Sequence, residues 1–357
     1  MIELSIILPT YNEKENIPII IDKIEKILEG FSFEIVIVDD NSPDGSWEIA
    51  TRIATERPSI NVIRRIHEKG LSSAIVLGFE IAKGEYMTVM DADLQHDENA
   101  LPRFIDAFRN GADIVVGSRK ADNGGLENWP LIRQIISWAA TLLASFILPQ
   151  TVSDPMSGFF GISKFFFNKI AGKINPRGFK LLLEILVHSR NANIKEIGYI
   201  FKKRIYGNSK LSSRVVVDYL ISLYELRFGR FVPVRFIKFG IIGLSGIIVN
   251  LTVLWSGLNL FMMSESSSLI AAIELSVISN FFLNNMWTYK DKKLTGLKAS
   301  LKGLLYFNVI CLAGVFINFI TAMYLKSVDI DIFFADIIGI FLAALWNYFL
   351  NSQITWR

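Results

Sequence analysis

Past Phe236 the chain becomes almost continuously apolar, in four stretches near 236–258, 268–288, 303–325 and 332–351. Each has about the ~20 residues that a bilayer core demands of a helix. This feature divides the 357 residues into an ordinary domain, 1–230, and a membrane-embedded one, 231–357, and it accounts for a hydrophobic share of 51%. The connection 259–267 carries no Lys or Arg, whereas 290–302, KDKKLTGLKASLK, carries five Lys. Basic loops stay on the cytoplasmic side, so the pattern predicts a multi-pass protein of the cell membrane with its N-terminal domain and both termini in the cytoplasm. Met1-Ile2-Glu3 leads straight into LSIIL with no signal peptide before it, which supports the same expectation. The junction RFGRFVPVRFIKF reads as a basic-aromatic anchor at the membrane surface.

The membrane half repeats itself. FGIIGLSGIIVN, 239–250, matches FNVICLAGVFIN, 307–318, and NFFLNNMWTYK, 280–290, matches NYFLNSQITWR, 347–357. The four helices are therefore two copies of one hairpin. Asn250/Asn318, Asn280/Asn347 and Asn284/Asn351 fall in equivalent places, set to bond between helices. Glu274 and Asp336 lack such counterparts; acids at this depth are either functional or interfacial. Cys311, the one cysteine, excludes an intramolecular disulfide and reads as a buried thiol.

Before Phe236 short β-branched runs alternate with amphipathic patterns. Strands are expected at 4–9, 34–39, 60–65, 86–91 and 113–117, with helices near 14–29, 46–56, 70–83 and 98–110. The class is α/β, a Rossmann-like, mostly parallel sheet with right-handed crossovers. Ligands of such sheets sit outside the carboxyl ends of the strands. Three polar clusters fall there: Pro9-Thr10-Tyr11-Asn12-Glu13, Asp39-Asp40-Asn41-Ser42-Pro43-Asp44-Gly45, and Asp91-Ala92-Asp93-Leu94-Gln95. Neither GxGxxG nor GxxxxGK[ST] occurs, which removes the dinucleotide and P-loop readings. The net charge of +3 says little by itself, because its meaning lies in where the Lys and Arg fall, and nucleic acid is not an expected partner.

The last cluster carries the chemistry. Residues two apart along an extended strand end point the same way, so Asp91 and Asp93 can converge, and Gln95 can join them if the chain stays extended. Hard oxygen donors of this kind suit Mg²⁺ or Mn²⁺, which binds through one or two carboxylates plus a substrate's phosphates. Capping the following helix would need one such oxygen and not a cluster. A phosphate-seeking set follows: Arg119 in VVGSR, Arg133 and Ser137 in LIRQIISW, and Arg204 and Lys210 in RIYGNSKL. Arg133 and Ser137, four apart, share a helix face. A solvated basic face is the alternative for Arg133 and Lys210. Residues 131–148 are apolar enough to span, but a span there would put Arg204 and Lys210 across the membrane from Asp91. A helix lying in the interface fits better, and FFGISKFFFNKI, 159–170, reads as a second such surface.

PTYNE, VDDNSPDG and DADLQHD closely resemble the inverting glycosyltransferases of family two with the GT-A fold, and among them the dolichol-phosphate mannose synthases and other polyprenyl-phosphate glycosyltransferases. The resemblance covers residues 1 to about 215, and the membrane half resembles GtrA-like modules. It implies that Pro9, Tyr11, Glu13, Val38 and Asp40 contact the donor's nucleoside, with Lys69 and Gly70 near the same pocket. It implies that Asp91, Ala92, Asp93 and Gln95 serve the cation and diphosphate, and that Arg204 and Lys210 hold the donor's phosphates. Arg119, Arg133 and Ser137 would hold the lipid phosphate, and Asp91, Asp93 and Arg119 would carry catalysis. Glu13 could equally be a helix N-terminal acid favoured by the dipole.

The expected reaction moves mannose from GDP-mannose to dolichyl phosphate with inversion, using Mg²⁺ or Mn²⁺ beside the lipid bilayer. UDP-glucose is the alternative donor, and a glycolipid flippase with a regulatory soluble domain the alternative class. A phosphate monoester has a second pKa of about 6 and is already nucleophilic at neutral pH, so no general base is required. Asp154 in SDPMSGFF sits where relatives acting on hydroxyls carry a base; here it is expected to orient substrate.

Overall fold

The structure, a computed structural model, describes residues 2–126, 131–175, 181–202, 213–229 and 231–357, the side chains of 126, 131–136 and 213–218 aside. The chain divides into two compact units, Met1–Arg227 and Phe228–Arg357, close to the boundary read at 230.

The first unit opens with β1 (Leu4–Thr10), α1 (Asn16–Ile27), β2 (Phe33–Asp39), α2 (Ser46–Glu56), β3 (Ile60–Arg64), α3 (Leu71–Ile81), β4 (Tyr86–Val89), α4 (Leu101–Arg109) and β5 (Ile114–Ser118). Then come β6 (Gly125–Leu126), α5 (Leu131–Ser145), β7 (Phe160–Ser163), α6 (Lys164–Ile170), α7 (Leu181–Val187), β8 (Ile194–Gly198), β9 (Ile200–Phe201) and α8 (Ser213–Phe228). The main sheet runs β3-β2-β1-β4-β7-β5-β8. It is parallel except for β7, which opposes both β4 and β5. This is the expected α/β architecture.

Alternation along β1 builds two cores. Leu4, Ile6 and Leu8 meet Ile17, Ile20, Ile21 and Ile24 of α1 and Phe104 and Phe108 of α4, while Ile7 meets Phe79 of α3 and Phe166 and Phe167 of α6. The α1 residues recur at i, i+3, i+4 and i+7, the stripe of a helix covering a sheet. Strand order reverses between β1 and β4, so the crevice for a ligand opens there.

Residues 159–170 correct the expectation of a second membrane-facing surface. Phe160–Ser163 is an interior strand, and Phe159, Phe160, Phe166, Phe167 and Ile170 are buried while Phe165 alone of the five Phe is exposed. An apolar run covered on both faces has the same hydrophobicity as one facing lipid, and periodicity does not separate them. Helix α5 differs: Trp138, Leu142 and Phe146 are exposed along one side, and Ala144 packs on Leu183, Tyr219 and Leu223.

The second unit contains α9 (Val234–Asn259), α10 (Glu265–Leu283), α11 (Leu297–Ser327) and α12 (Ile332–Leu350). With short extensions, these four are long and apolar enough to cross a membrane. The sequence repeat is a structural one. Asn284–Thr288 and Asn351–Thr355 form π turns at equivalent places, closed by the Tyr289 N–H on Asn284 O at 2.9 Å and the Trp356 N–H on Asn351 O at 3.0 Å. Tyr289 and Trp356, equivalent residues, stack on each other at 4.2 Å and 5°. Phe239, Phe281 and Phe307 close around them, and Trp356 Nε1 donates to Asn285 Oδ1 at 3.0 Å.

Asn284 and Asn351 behave differently from the expectation. Asn284 and Asn351 donate to Asn280 O and Asn347 O of their own helices, at 2.9 and 2.8 Å. A carbonyl one turn back is the nearest acceptor for a short amide. Asn280 and Asn347 do face the neighbouring helix, over Gly246 and Gly314, where a Cβ would fall 2.4 Å from Asn280 Nδ2 and 2.5 Å from Asn347 Oδ1. Close approach of this kind requires glycine. Both intramembrane acids accept from amides of an adjacent helix: Asp336 from Asn318 at 3.1 Å, and Glu274 from Asn308 at 3.5 Å.

Trp356→Ala should therefore destabilise the second unit by about 3–5 kcal/mol, whereas Phe165→Ala should be near neutral. Thermal aggregation of the detergent-purified full chain measures both, and equal shifts would contradict the assignment of Trp356 as the centre of that core.

Candidate active site

The loops after β1 and β2 are strapped into one knot. Buried Asp39 accepts from Thr10 Oγ1 at 3.0 Å, from the Ser42 N–H at 2.8 Å and from Ser42 Oγ at 2.7 Å. Asp44 accepts from the Ser46 N–H at 3.0 Å, from Ser46 Oγ at 2.6 Å and from the Lys14 N–H at 3.2 Å. The N–H groups of Asn12 and Glu13 donate to Ser42 Oγ and Ser46 Oγ at 3.0 and 2.9 Å. Asn12 and Asn41 turn the chain at φ +60° and +56°, left-handed geometry that asparagine tolerates well.

Asp40 belongs to the cavity wall. It accepts from Arg65 Nε at 2.6 Å, from Arg65 Nη2 and from the Gly70 N–H at 2.7 Å. Arg65 also donates to Gly70 O and Ser73 Oγ, both at 2.9 Å, which ties the start of α3 to β2. The crevice above has a volume of about 510 Å³ and is lined by Pro9, Thr10, Tyr11, Glu13, Asp40, Lys69, Gly70, Leu71, Ala74, Asp91, Ala92 and Asp93. Lys69 Nζ lies 5.4 Å over the Tyr11 ring. Val38 does not reach the crevice: it has no exposed surface and packs in the core with Ala74 and Ile75, because α3 still covers the strand there.

Strand β4 ends at Val89, earlier than the expected 86–91, and the chain turns at once. Asp91 and Asp93 therefore meet the crevice from a turn and not from an extended strand. Leu94 holds that turn at φ +62°, a left-handed conformation that costs a residue with a β-carbon roughly 1–2 kcal/mol. Its side chain is buried in the core, which keeps it there. The Gln95 N–H donates to Asp93 Oδ1 at 3.1 Å, and Gln95 Nε2 donates to Lys202 O at 3.0 Å.

Beneath the turn lies His96. Its Nδ1 accepts the Asp91 N–H at 3.0 Å and its Nε2 is 3.8 Å from Asp91 Oδ2. The ring stacks on Phe159 at 5.2 Å. Burial pulls the pKa of His96 down to about 4, with Asp93 opposing. The imidazole is neutral at pH 7, and its proton belongs on Nε2, toward Asp91. Among the described residues no three His, Cys, Asp or Glu side chains form a complete cation cage. Two carboxylates beside an open cavity instead fit a Mg²⁺ or Mn²⁺ whose shell a substrate's phosphates complete.

Asp91 also borders a second, smaller pocket of about 40 Å³ with Pro155, Ser157 and Gly158. Arg119 Nε and Nη2 grip Asp154 at 2.6 and 2.8 Å, and the Arg119 N–H adds a bond at 3.2 Å. Asp154 is fully buried, so it orients Arg119 and not a substrate. Lys120 Nζ donates to Thr141 Oγ1 at 2.6 Å and to Ser137 O at 3.4 Å, joining the end of β5 to α5. Burial lowers the pKa of Lys120, with Asp154 opposing and Arg119 adding to the effect. Arg119 and Ser137 stand outside the lining of the large crevice. The side chain of Arg133, and Arg204 and Lys210 entirely, lie outside the described residues.

Residues 5–171 match the family described as Glycosyl transferase family 2, and residues 238–356 match the GtrA/DPMS transmembrane domain. A dolichol-phosphate mannosyltransferase of Pyrococcus furiosus is 40% identical over 99% of both chains. The chain belongs to glycosyl transferase family 2, among the dolichol-phosphate mannosyltransferases. Enzymes of that name from Mycosarcoma maydis and Saccharomyces cerevisiae are 40% and 38% identical, over 65% and 67% of this chain and 82% and 93% of theirs. Among solved structures, glucosyl-3-phosphoglycerate synthase of Mycobacterium tuberculosis, with Mn²⁺, UDP and glucosyl-3-phosphoglycerate, has a TM-score of 0.47 at 18% identity over 62% of this chain and 79% of that one. That likeness is too loose to argue from.

In this glycosyltransferase the supporting residues are the ones sequence reasoning missed. Arg65, His96 and Lys120 each hold a residue that the motifs name; Arg65 and His96 do so from buried positions, whereas Lys120 is exposed just past the end of β5. The doublet Arg64-Arg65 gives no cue to which one is inside, whereas the adjacency of Lys120 to Arg119 is a usable signal.

Unfolded His96 binds a proton near pH 6.5, but folded His96 only near pH 4. Between those values the unfolded state holds more protons, so acidification across this window should cost roughly 3 kcal/mol of stability. Melting curves of the full chain at pH 7 and pH 5 should draw together in His96→Gln. A pH slope unaltered by the substitution would contradict the buried neutral imidazole.

Proposed function

We propose that this enzyme transfers mannose from GDP-mannose to dolichyl phosphate with inversion, releasing GDP, at the cytoplasmic face of the membrane. The observation that carries the reading is the position of Asp91, which borders both the large crevice and a second, small pocket with Pro155, Ser157 and Gly158. The crevice, with Tyr11, Glu13, Asp40 and Lys69 on its wall, would take the nucleotide. The small pocket would admit the lipid phosphate, steered by Arg119 with Arg133 and Ser137 of α5, while Arg204 and Lys210 would complete the donor's phosphate contacts. Gln95, fixed at the turn, would help Asp91 and Asp93 hold a Mg²⁺ or Mn²⁺.

A phosphate oxygen of the carrier attacks the anomeric carbon, that C–O bond forms, and the bond from the same carbon to the nucleoside diphosphate breaks with its electron pair. A divalent cation held by Asp91 and Asp93 would supply charge neutralisation to the diphosphate. The chain's own contribution is alignment. Asp154 is occupied by Arg119, which agrees with a nucleophile that needs no base. The exposed Trp138, Leu142 and Phe146 of α5 suit a helix lying in lipid. The lysine-rich 290–302 against the uncharged 259–267 supports the cytoplasmic orientation.

Calorimetric titration with GDP and with UDP in the presence of Mn²⁺ tests the donor. Tighter binding of GDP, with GDP release from GDP-mannose only when dolichyl phosphate is added, is the expected outcome; preference for UDP would replace the mannosyl reading by a glucosyl one. Asp91→Ala and Asp93→Ala should each abolish turnover. Asp154→Asn, which keeps one acceptor for two guanidinium donors, should slow transfer by about 10–100-fold without moving the melting temperature by more than a few degrees. Unaltered turnover would detach Arg119 from the chemistry.

A further inference from the structure

The second unit has a cavity of about 430 Å³ at the start of α11 and the end of α12, lined among others by Leu294, Lys302, Gly303, Tyr306, Ile354 and Arg357. The repeat provides an internal control for it. In the first copy Arg235 occupies the place of Gly303, Lys238 that of Tyr306, and Trp287 that of Ile354. There Arg235 is paired with Asp291, and Lys238 lies 5.6 Å over the Trp287 ring. In the first copy these positions carry a paired arginine and a lysine over an indole; in the second they line a cavity.

Among the described residues no Asp or Glu is paired with Lys302. Lys302 lies 5.6 Å over the Tyr306 ring, and Arg357 is exposed at the cavity's edge. Next to them the surface is apolar, with Leu301 57%, Leu305 62% and Ile354 45% exposed. Cations above apolar, lipid-exposed helix surface, around a concavity, match an anionic headgroup held over its own acyl chains. A soluble phosphate would gain nothing from the leucines.

We propose that this cavity binds the phosphate headgroup of an anionic membrane lipid, with Lys302 and Arg357 on the phosphate oxygens and the chains along Leu301 and Leu305. The proposal does not rest on the donor assignment.

Native mass spectrometry of the detergent-purified full chain tests it, with phosphatidylglycerol, phosphatidylcholine and free glycerol phosphate as probes. Phosphatidylglycerol should be retained over phosphatidylcholine, and the Lys302→Ala/Arg357→Ala pair should weaken its retention by about 10-fold. The Lys292→Ala/Lys293→Ala pair, outside the lining, should change it less than about twofold. Ile354→Trp, which restores the bulk of the first copy at an exposed position and leaves both cations, should also abolish retention. Equal losses in both lysine pairs would mean diffuse surface charge and would overturn the proposal. Retention undiminished in the Lys302→Ala/Arg357→Ala or Ile354→Trp proteins, or displacement by free glycerol phosphate, would overturn it as well.

Discussion

Two consecutive carboxylates at the end of β2 do different jobs, and the site depends on the division. Asp39 points inward and is consumed by Thr10 and Ser42, so that the loops after β1 and β2 are one object. Asp40 points to the crevice and is held by Arg65, which also secures the start of α3. A buried guanidinium–carboxylate pair of this kind adds little net stability, but it is costly to break from one side. What it secures here is position: the walls of the crevice are set before a ligand arrives, and binding need not supply that ordering.

Much of this was legible in the sequence because it obeys simple periodicities. The order of β1 to β5 with their helices follows from alternation of period two and 3.6, and the polar clusters after β1, β2 and β4 stand where parallel strands end. Strand β7 was not legible. Its flanking Phe residues are apolar on both faces, and its antiparallel insertion between β4 and β5 is a non-local pairing that no local pattern records. The turn at Asp91 was anticipated as a site with the wrong backbone, since nothing in the text announces that a leucine will adopt φ +62°. That conformation is imposed by the core around Leu94, and tertiary packing overrides local preference.

The same contrast separates the motif residues from those that hold them. Tyr11, Glu13, Asp40, Lys69, Asp91 and Asp93 share one cavity; strand-end position pointed to all but Lys69, which the family resemblance supplied. Arg65, His96 and Asp154 act through other side chains from buried positions. Their roles depend on which neighbour folding brings to them, and a one-dimensional reading has no access to that. Val38 shows the opposite case: a residue inside a recognisable motif whose side chain is sealed in the core.

The two π turns have a consequence for how the membrane half can change. Each inserts one extra residue into a helical turn, and so rotates everything after it by about a quarter-turn relative to a regular helix. Tyr289 and Trp356 face each other only because both helices carry that same phase offset. Deleting a single residue from either five-residue segment would swing one ring out of the stack while leaving composition and hydropathy almost untouched. Length at these two points is thus a conserved quantity of the duplicated design in its own right, enforced by rotation and not by chemistry.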